Sequence, residues 1–249
     1  MNNRTKFGLL GKDISYSFSR KYFSEKFKKL GLTTLKYSNM DIPEIEEFPF
    51  LLYHREHEYR GINVTIPYKE SVMRYLNEID ADAKKIGAVN TIKVLQNGEL
   101  KGYNTDYYGF KKALKPLLKN QKYQALILGT GGASKAVAYA LKKLDIPYKF
   151  VSRQAKNKFY LSYGSLDKTI INSHQIIINC TPLGTFPDIK KYPLIPYQGI
   201  TKNHILFDLI YNPAQTLFLK TGKLNGAKTI NGLRMLELQA EKSWEIWNR

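Results

Sequence analysis

The run Ala125-Leu126-Ile127-Leu128 passes directly into Gly129-Thr130-Gly131-Gly132-Ala133-Ser134, and a helical pattern follows from Ser134 to Leu144. No other stretch restricts the fold as much. A short apolar run bounded by turn residues reads as a strand buried on both faces. The glycines then force a tight reversal into a helix, the setting in which a dinucleotide fingerprint carries meaning. Gly129 permits the turn, Gly131 lets the backbone approach a pyrophosphate, and Ser134 stands where the third small residue belongs. The helix start offers N–H groups and a positive dipole end to that anion. A plain glycine turn between strand and helix is the competing reading.

About twenty residues on, an NAD-binding unit offers a carboxylate to the ribose hydroxyls. Here the segment reads Phe150-Val151-Ser152-Arg153-Gln154, with Lys156 and Lys158 close behind. It holds no acid, and an arginine suits a 2′-phosphate, so the residues favour NADP over NAD. An exposed basic loop is the alternative.

The remaining chain alternates short apolar runs with helical patterns, which predicts an α/β fold. Strands are expected at Lys6–Leu10, Gly61–Ile66, Ala88–Val94, Tyr123–Leu128, Tyr148–Val151, Gln175–Cys180 and His204–Leu209. Helices are expected at Ser19–Leu30, from Pro67 onward, at Asp106–Leu118, Ser134–Leu144 and Leu233–Trp247. Two domains follow: a separate α/β domain over 1–105, and a Rossmann-like unit with a parallel sheet over 106–231. The division is expected near Asn104–Asp106.

Composition limits the function class. The single cysteine, Cys180, forms no intrachain disulfide, the polar start leads into too short an apolar run for a signal peptide, and no stretch nears the ~18 apolar residues of a membrane span. A cytoplasmic protein is expected. The net charge of +18 is spread along the chain, with no zinc-finger spacing and no RNA-binding aromatic motif, so it reads as a lysine-rich surface and not a nucleic-acid footprint. His54, His57, His174 and His204 fall in no metal-ligand spacing, and no metal is expected.

In Gly61-Ile62-Asn63-Val64-Thr65-Ile66-Pro67-Tyr68-Lys69-Glu70, period two sets Asn63 and Thr65 on one face of a strand. With Pro67 opening a helix, Lys69 falls in its first turn, where a cation opposes the macrodipole and its pKa is expected to fall toward neutrality. That suits proton transfer; a solvated lysine at a helix end is the plainer reading. Asp106 reads either as an N-cap or as a carboxylate for substrate hydroxyls. Ser17 and Ser19 precede a helix, and Ser19 reads equally as its cap. Asn90 ends a short apolar segment, and Gln239 borders the apolar stripe of Leu233, Leu236 and Ala240.

Taken in order, Ser17-Phe18-Ser19, Asn63 to Glu70, Gly87-Ala88-Val89-Asn90-Thr91, Asn104-Thr105-Asp106, Gly129 to Ser134, Asn179-Cys180-Thr181-Pro182-Leu183-Gly184, Asp208-Leu209-Ile210-Tyr211-Asn212-Pro213 and Asn231-Gly232-Leu233 resemble the shikimate dehydrogenase family. The likeness runs from Phe7 to Trp247. It implies NADPH-dependent reduction of 3-dehydroshikimate to shikimate, on the route to chorismate and the aromatic amino acids. It implies that Lys69 and Asp106 form the catalytic pair and that Ser17 and Ser19 hold the substrate carboxylate. Asn63, Thr65, Asn90, Asp106, Tyr211 and Gln239 would contact hydroxyls, carboxylate or ring. Gly129, Thr130, Gly131, Gly132, Ala133, Ser152, Arg153, Leu209 and Gly232 would line the NADP side. The helix over 232–249 would rejoin the first domain, and the protein would be a monomer or homodimer. The chain departs from the family pattern at Tyr16, Arg20, Tyr107, Ser152, Gln154 and Arg234, where histidine, proline, glycine, asparagine, threonine and glycine are common.

Rival readings are a quinate/shikimate dehydrogenase preferring NAD, a related dehydrogenase acting on folate or amino acids, and a catalytically silent NADP-binding regulator. Arg153 argues against the first, Ser17, Ser19 and Gln239 against the second. A sensor has no use for Lys69 and Asp106 together.

Overall fold

Short apolar runs become strands in the computed structural model, which describes residues 5–15, 17–53, 58–154 and 157–249. Tyr16, His54, His57, Lys156 and the residues before Thr5 lie outside the described residues. The chain divides into two compact units, 1–105 with 240–249, and 106–239.

The first unit carries β1 (Lys6–Gly11), α1 (Phe18–Lys29), β2 (Lys36–Asp41), α2 (Phe48–Leu52), β3 (Tyr59–Val64), β4 (Glu78–Ile79), α3 (Ala81–Ile86), β5 (Thr91–Val94) and β6 (Leu100–Tyr103). Its sheet runs β2-β1-β3-β5-β6-β4. β1 pairs parallel with β2 and β3, whereas β5 lies antiparallel to both β3 and β6. Period two sorts β1: Phe7 and Leu9 pack with Phe23, Phe27 and Tyr37, while Leu10 joins Ile62, Val64 and Ile92 on the other face. α1 forms because Phe23 and Phe27 stack one turn apart on its buried side and Lys26, Lys28 and Lys29 complement its C-terminal dipole.

The second unit carries α4 (Asp106–Leu114), β7 (Ala125–Leu128), α5 (Gly132–Lys142), β8 (Tyr148–Ser152), β9 (Tyr160–Ser162), α6 (Lys168–Ser173), β10 (Ile176–Asn179), β11 (Ile205–Asp208), α7 (Leu217–Leu224) and β12 (Lys228–Ile230). All six strands are parallel, in the order β12-β11-β10-β7-β8-β9. Counted along the chain this is 3-2-1-4-5-6, the doubly wound dinucleotide-binding order. Ala125 and Ile127 face Phe110, Val137 and Phe207; Leu126 and Leu128 face Val151, Ile177 and Phe218. A sheet covered on both faces explains why these strands read as continuous apolar runs.

The closing helix, α8 (Leu233–Asn248), is shared. Its Met235 belongs to the core of the second unit, whereas Ala240, Ile246 and Trp247 belong to that of the first. The division therefore falls inside the helix, between Gln239 and Ala240, and not ahead of it at 232. Trp247 lies against Gly61, where any Cβ would collide with its ring, and donates its indole N–H to the Ile92 carbonyl at 2.9 Å.

Three expected elements differ. Pro67 opens no α-helix: 66–70 is a run of turns, followed by a 3-10 helix at Ser71–Tyr75. The expected helix to Leu118 ends as α4 at Leu114, and a 3-10 turn with Pro116 in its first positions follows, because proline cannot continue the ladder. The strand expected from Ala88 begins at Thr91: Val89 still gives its N–H to the Lys69 carbonyl in the turn run, and bonding to β6 starts only with Asn90 N–H.

Candidate active site

The glycine turn is built as an anion cradle. Gly129 has φ +104°, a conformation that excludes side chains, and a Cβ there would sit 3.1 Å from Thr181 Cγ2. Gly131 caps α5 without any side-chain bond, and a Cβ on it would meet nothing within 4 Å. That open space, above a helix N-terminus, fits a pyrophosphate. Thr130 and Gly131 are exposed, and Gly132 and Ala133 half-buried. Ser134 folds inward and donates its hydroxyl to the Gly131 carbonyl at 2.6 Å, holding the turn from beneath.

Gly129 N–H donates to the Val151 carbonyl at 2.9 Å, which ties the turn to the end of β8. Ser152 and the exposed Arg153 follow immediately. The Ser152 hydroxyl bonds the Gln154 carbonyl, so it shapes this basic bend. The residues present fit a nucleotide carrying a 2′-phosphate.

At the carboxyl ends of β10 and β11 the motifs opening at Asn179 and Asp208 form a cluster to which the sequence reading gave no role. Asp208, 0% exposed, accepts from Asn179 Nδ2 at 3.0 Å, Thr216 Oγ1 at 2.6 Å and the Ile210 N–H at 3.1 Å. Asn179 in turn accepts from the Thr181 hydroxyl at 2.6 Å. Burial pushes the Asp208 carboxyl up to about 6, although its three hydrogen bonds pull the other way. Burial, with Asp208 adding to it, pushes the Cys180 thiol well up too, so Cys180 is no ready nucleophile. Asp208 closes an apolar strand as the expected motif does, and that position was the only available signal.

Leu209 and Tyr211, both half-buried, follow Asp208 directly. Gly232 donates to the Ile210 carbonyl at 3.0 Å, and a Cβ there would collide with the Leu209 carbonyl, so only glycine fits. Arg234 is exposed and pairs with Glu237 at 3.0 Å. Asp106 is buried as the first residue of α4, in its first turn and not at its cap. Gln239 is buried as well; a Cβ on Gly109 of α4 would lie 3.1 Å from its Cβ. Leu233, expected in the apolar stripe with it, is exposed.

In the first unit, Ser17 and not Ser19 is the N-cap of α1, with no side-chain capping bond, and Ser19 is buried within the helix. Thr65 follows β3, its N–H held by the Leu10 carbonyl at 2.9 Å. Lys69 is half-buried in the turn run, and its carbonyl accepts from Val89 N–H at 2.7 Å. That tertiary bond positions it. The expected opposition to a helix dipole does not apply, because no α-helix starts there.

Asn63 and Asn90 are buried together with Thr91, Thr105 and Ser243. Asn63 Oδ1 accepts from the Tyr37 hydroxyl at 2.8 Å, and Asn63 Nδ2 reaches Ser243 Oγ at 3.1 Å. Asn90 Nδ2 donates to Thr105 Oγ1 at 3.0 Å. Sequence reading missed Tyr37 and Ser243, which stand far apart in the chain and share no spacing signal; Thr91 was read only as part of the motif that ends at it.

Among the described residues no His, Cys, Asp or Glu group is arranged to hold a metal, and no helix is long and apolar enough to cross a membrane.

A doubly wound parallel unit with an open glycine turn, joined to a second α/β unit rich in buried amides and hydroxyls, defines a two-domain dinucleotide-binding protein. The family described as the shikimate dehydrogenase substrate binding domain matches residues 9–92. A shikimate dehydrogenase (NADP(+)) of Methanococcus maripaludis is 41% identical, over 99% of this chain and 93% of that protein. A crystal structure of a shikimate dehydrogenase in complex with NADP+ superimposes with a TM-score of 0.87 at 34% identity, covering 98% of this chain and 90% of the other. The Thermus thermophilus shikimate 5-dehydrogenase in complex with NADP(H) and shikimate gives 0.85 at 31% identity, over 97% and 92%. The chain belongs to the shikimate dehydrogenase family.

Proposed function

We propose that this chain reduces 3-dehydroshikimate to shikimate with NADPH, and catalyses the reverse oxidation with NADP. The observation that carries this reading is the near full-length likeness to an NADP(+)-dependent shikimate dehydrogenase. The open cradle at Gly131 and the acid-free bend at Ser152–Arg153 support the choice of nucleotide. Gly129, Thr130, Gly131, Gly132 and Ala133 take the pyrophosphate, Arg153 and Ser152 take the 2′-phosphate, and Leu209 and Gly232 line the nicotinamide side.

Bound NADPH supplies the hydride. The chain supplies the proton and the orientation. Lys69 as an ammonium gives its proton to the oxygen that becomes the new hydroxyl; in oxidation the neutral amine takes that proton back. Asp106 accepts a hydrogen bond from a substrate hydroxyl and acts with Lys69 as the catalytic pair. Ser17 and Ser19 hold the carboxylate. Thr65, Asn90, Tyr211 and Gln239 orient the ring and its hydroxyls; Asn63, expected among these contacts, spends its amide on the Tyr37 hydroxyl, the Asn90 carbonyl and Ser243. The substrates are small molecules, the compartment is the cytoplasm, and the product feeds the shikimate pathway.

The test follows nicotinamide absorbance with shikimate and either NADP or NAD, for wild type and Lys69→Ala. NADP-linked turnover is expected, with kcat lower by about 10²–10⁴-fold in the variant. Faster turnover with NAD overturns the nucleotide assignment, and no turnover with either overturns the substrate.

A further inference from the structure

Two asparagine amides in the first unit have their orientation dictated by main-chain groups. Thr105 N–H donates to Asn90 at 2.6 Å. A backbone N–H can only donate, so the atom facing it is Oδ1. The Asn90 carbonyl lies 3.3 Å from the Asn63 amide, and a carbonyl can only accept, so the atom facing it is Nδ2. Asn63 Oδ1 then faces the opposite way, to the Tyr37 hydroxyl at 2.8 Å.

Three hydroxyls fill the space between these amides. Ser243 Oγ lies 2.8 Å from Thr91 Oγ1 and 3.2 Å from Thr105 Oγ1. Both threonine hydroxyls also reach Asn90 Oδ1, at 3.1 and 3.2 Å. When the threonines give their single protons to Asn90 Oδ1, that oxygen is saturated by protein donors. Ser243 then accepts from Asn63 Nδ2 and gives its own proton to a threonine oxygen. The Asn63 Nδ2 hydrogens are likewise taken up, among the Asn90 carbonyl, Thr91 Oγ1 and Ser243 Oγ. The network runs from Tyr37, whose ring stacks on Phe23 of α1, through Asn63 to Thr105, the neighbour of Asp106. Ser243 is 0% exposed and Tyr37 is buried. In a buried network of this kind one missing proton donor reverses or unpairs its neighbours.

We propose that Ser243 and Tyr37 are positioning residues for substrate recognition: they lock the two amides so that Asn90 meets a substrate oxygen with its N–H₂ edge and never with its oxygen. Asn63 is the relay between them and donates nothing to substrate. The proposal rests on the function given above.

The test compares wild type, Ser243→Ala, Tyr37→Phe, the double variant and Asn90→Asp, with shikimate and NADP varied separately. Each single hydroxyl loss is expected to raise the shikimate KM about 3–10-fold while kcat changes less and the NADP KM stays within about 2-fold. The double variant is expected to be no worse than about the poorer single one, because both changes act on one network. Asn90→Asp keeps the acceptor and loses the N–H₂, so it is expected to bind shikimate most weakly. Equal rises in both KM values, or an unchanged shikimate KM in both single variants, overturn the positioning role. An unchanged shikimate KM in Asn90→Asp overturns the assigned polarity. A wild-type protein without NADP-linked turnover of shikimate overturns the underlying function instead.

Discussion

Asp208 is a carboxylate buried without a cation among its three hydrogen-bond partners, and its removal has a calculable effect on stability. Its folded pKa is about 6, against 3.8 for a solvated aspartate. The folded chain therefore holds this proton more tightly than the unfolded chain does. Between pH 3.8 and 6 the folded state binds more protons, so the contribution of Asp208 to stability falls as the pH rises through that window. The gap of 6 − 3.8, about 2.2, corresponds to a cost of ~3 kcal/mol once both states are ionised. Roughly half of it, ~1.4 kcal/mol, develops between pH 5 and 8. Asp208→Asn removes the titration and keeps the shape. The new amide oxygen retains Asn179 Nδ2 and Ile210 N–H, and the new N–H₂ turns to the Thr216 hydroxyl, which rotates to accept. Urea unfolding at pH 5, 6, 7 and 8 measures the difference. Far-UV circular dichroism is the probe, because both tryptophans, Trp244 and Trp247, belong to the other unit. The variant is expected to gain on wild type by ~1.4 kcal/mol from pH 5 to pH 8. A difference that stays level, or shrinks, across that range refutes the reasoning.

Two further predictions follow from the same geometry. Arg153→Ala is expected to raise the NADP KM about 10–100-fold while leaving the NAD KM and the thermal midpoint where they are, since the side chain is exposed; steady-state kinetics with both nucleotides and a melting curve check this. Trp247→Ala empties the space against Gly61, Phe7 and Phe23 and is expected to cost ~3–5 kcal/mol, read by urea unfolding through the remaining Trp244.

The strand at Ala125–Leu128, the turn at Gly129 and the helix after it were legible in the sequence because each rests on local physics: an apolar run, a backbone that tolerates positive φ, and a helical period. The choice of nucleotide was legible for a related reason, since Arg153 stands at a set distance along one βαβ unit. Lys69 and Asp106 were found from their neighbours in sequence, but their settings were not. A helix was expected at Pro67, yet the chain forms turns there because Lys69 gives its carbonyl to Val89, a bond between segments twenty residues apart. Asp106 reads in sequence either as a cap or as a carboxylate for substrate hydroxyls, and the structure places it buried in the first turn of α4.

The sequence by itself determined the α/β class, the glycine cradle and the residue types available for chemistry, because those signals repeat every two or four residues or sit in one turn. Only the tertiary structure decided that α8 divides between two cores at Gln239 and Ala240, that Asp208 is a buried carboxylate, and that Tyr37, Thr91 and Ser243 meet around Asn63 and Asn90. Asn63 and Ser243, hydrogen-bonded across 180 residues of sequence, leave no period to read. Their meeting is set by which faces of the sheet and helices the apolar residues bury, and a polar group finds its partner wherever that burial places it.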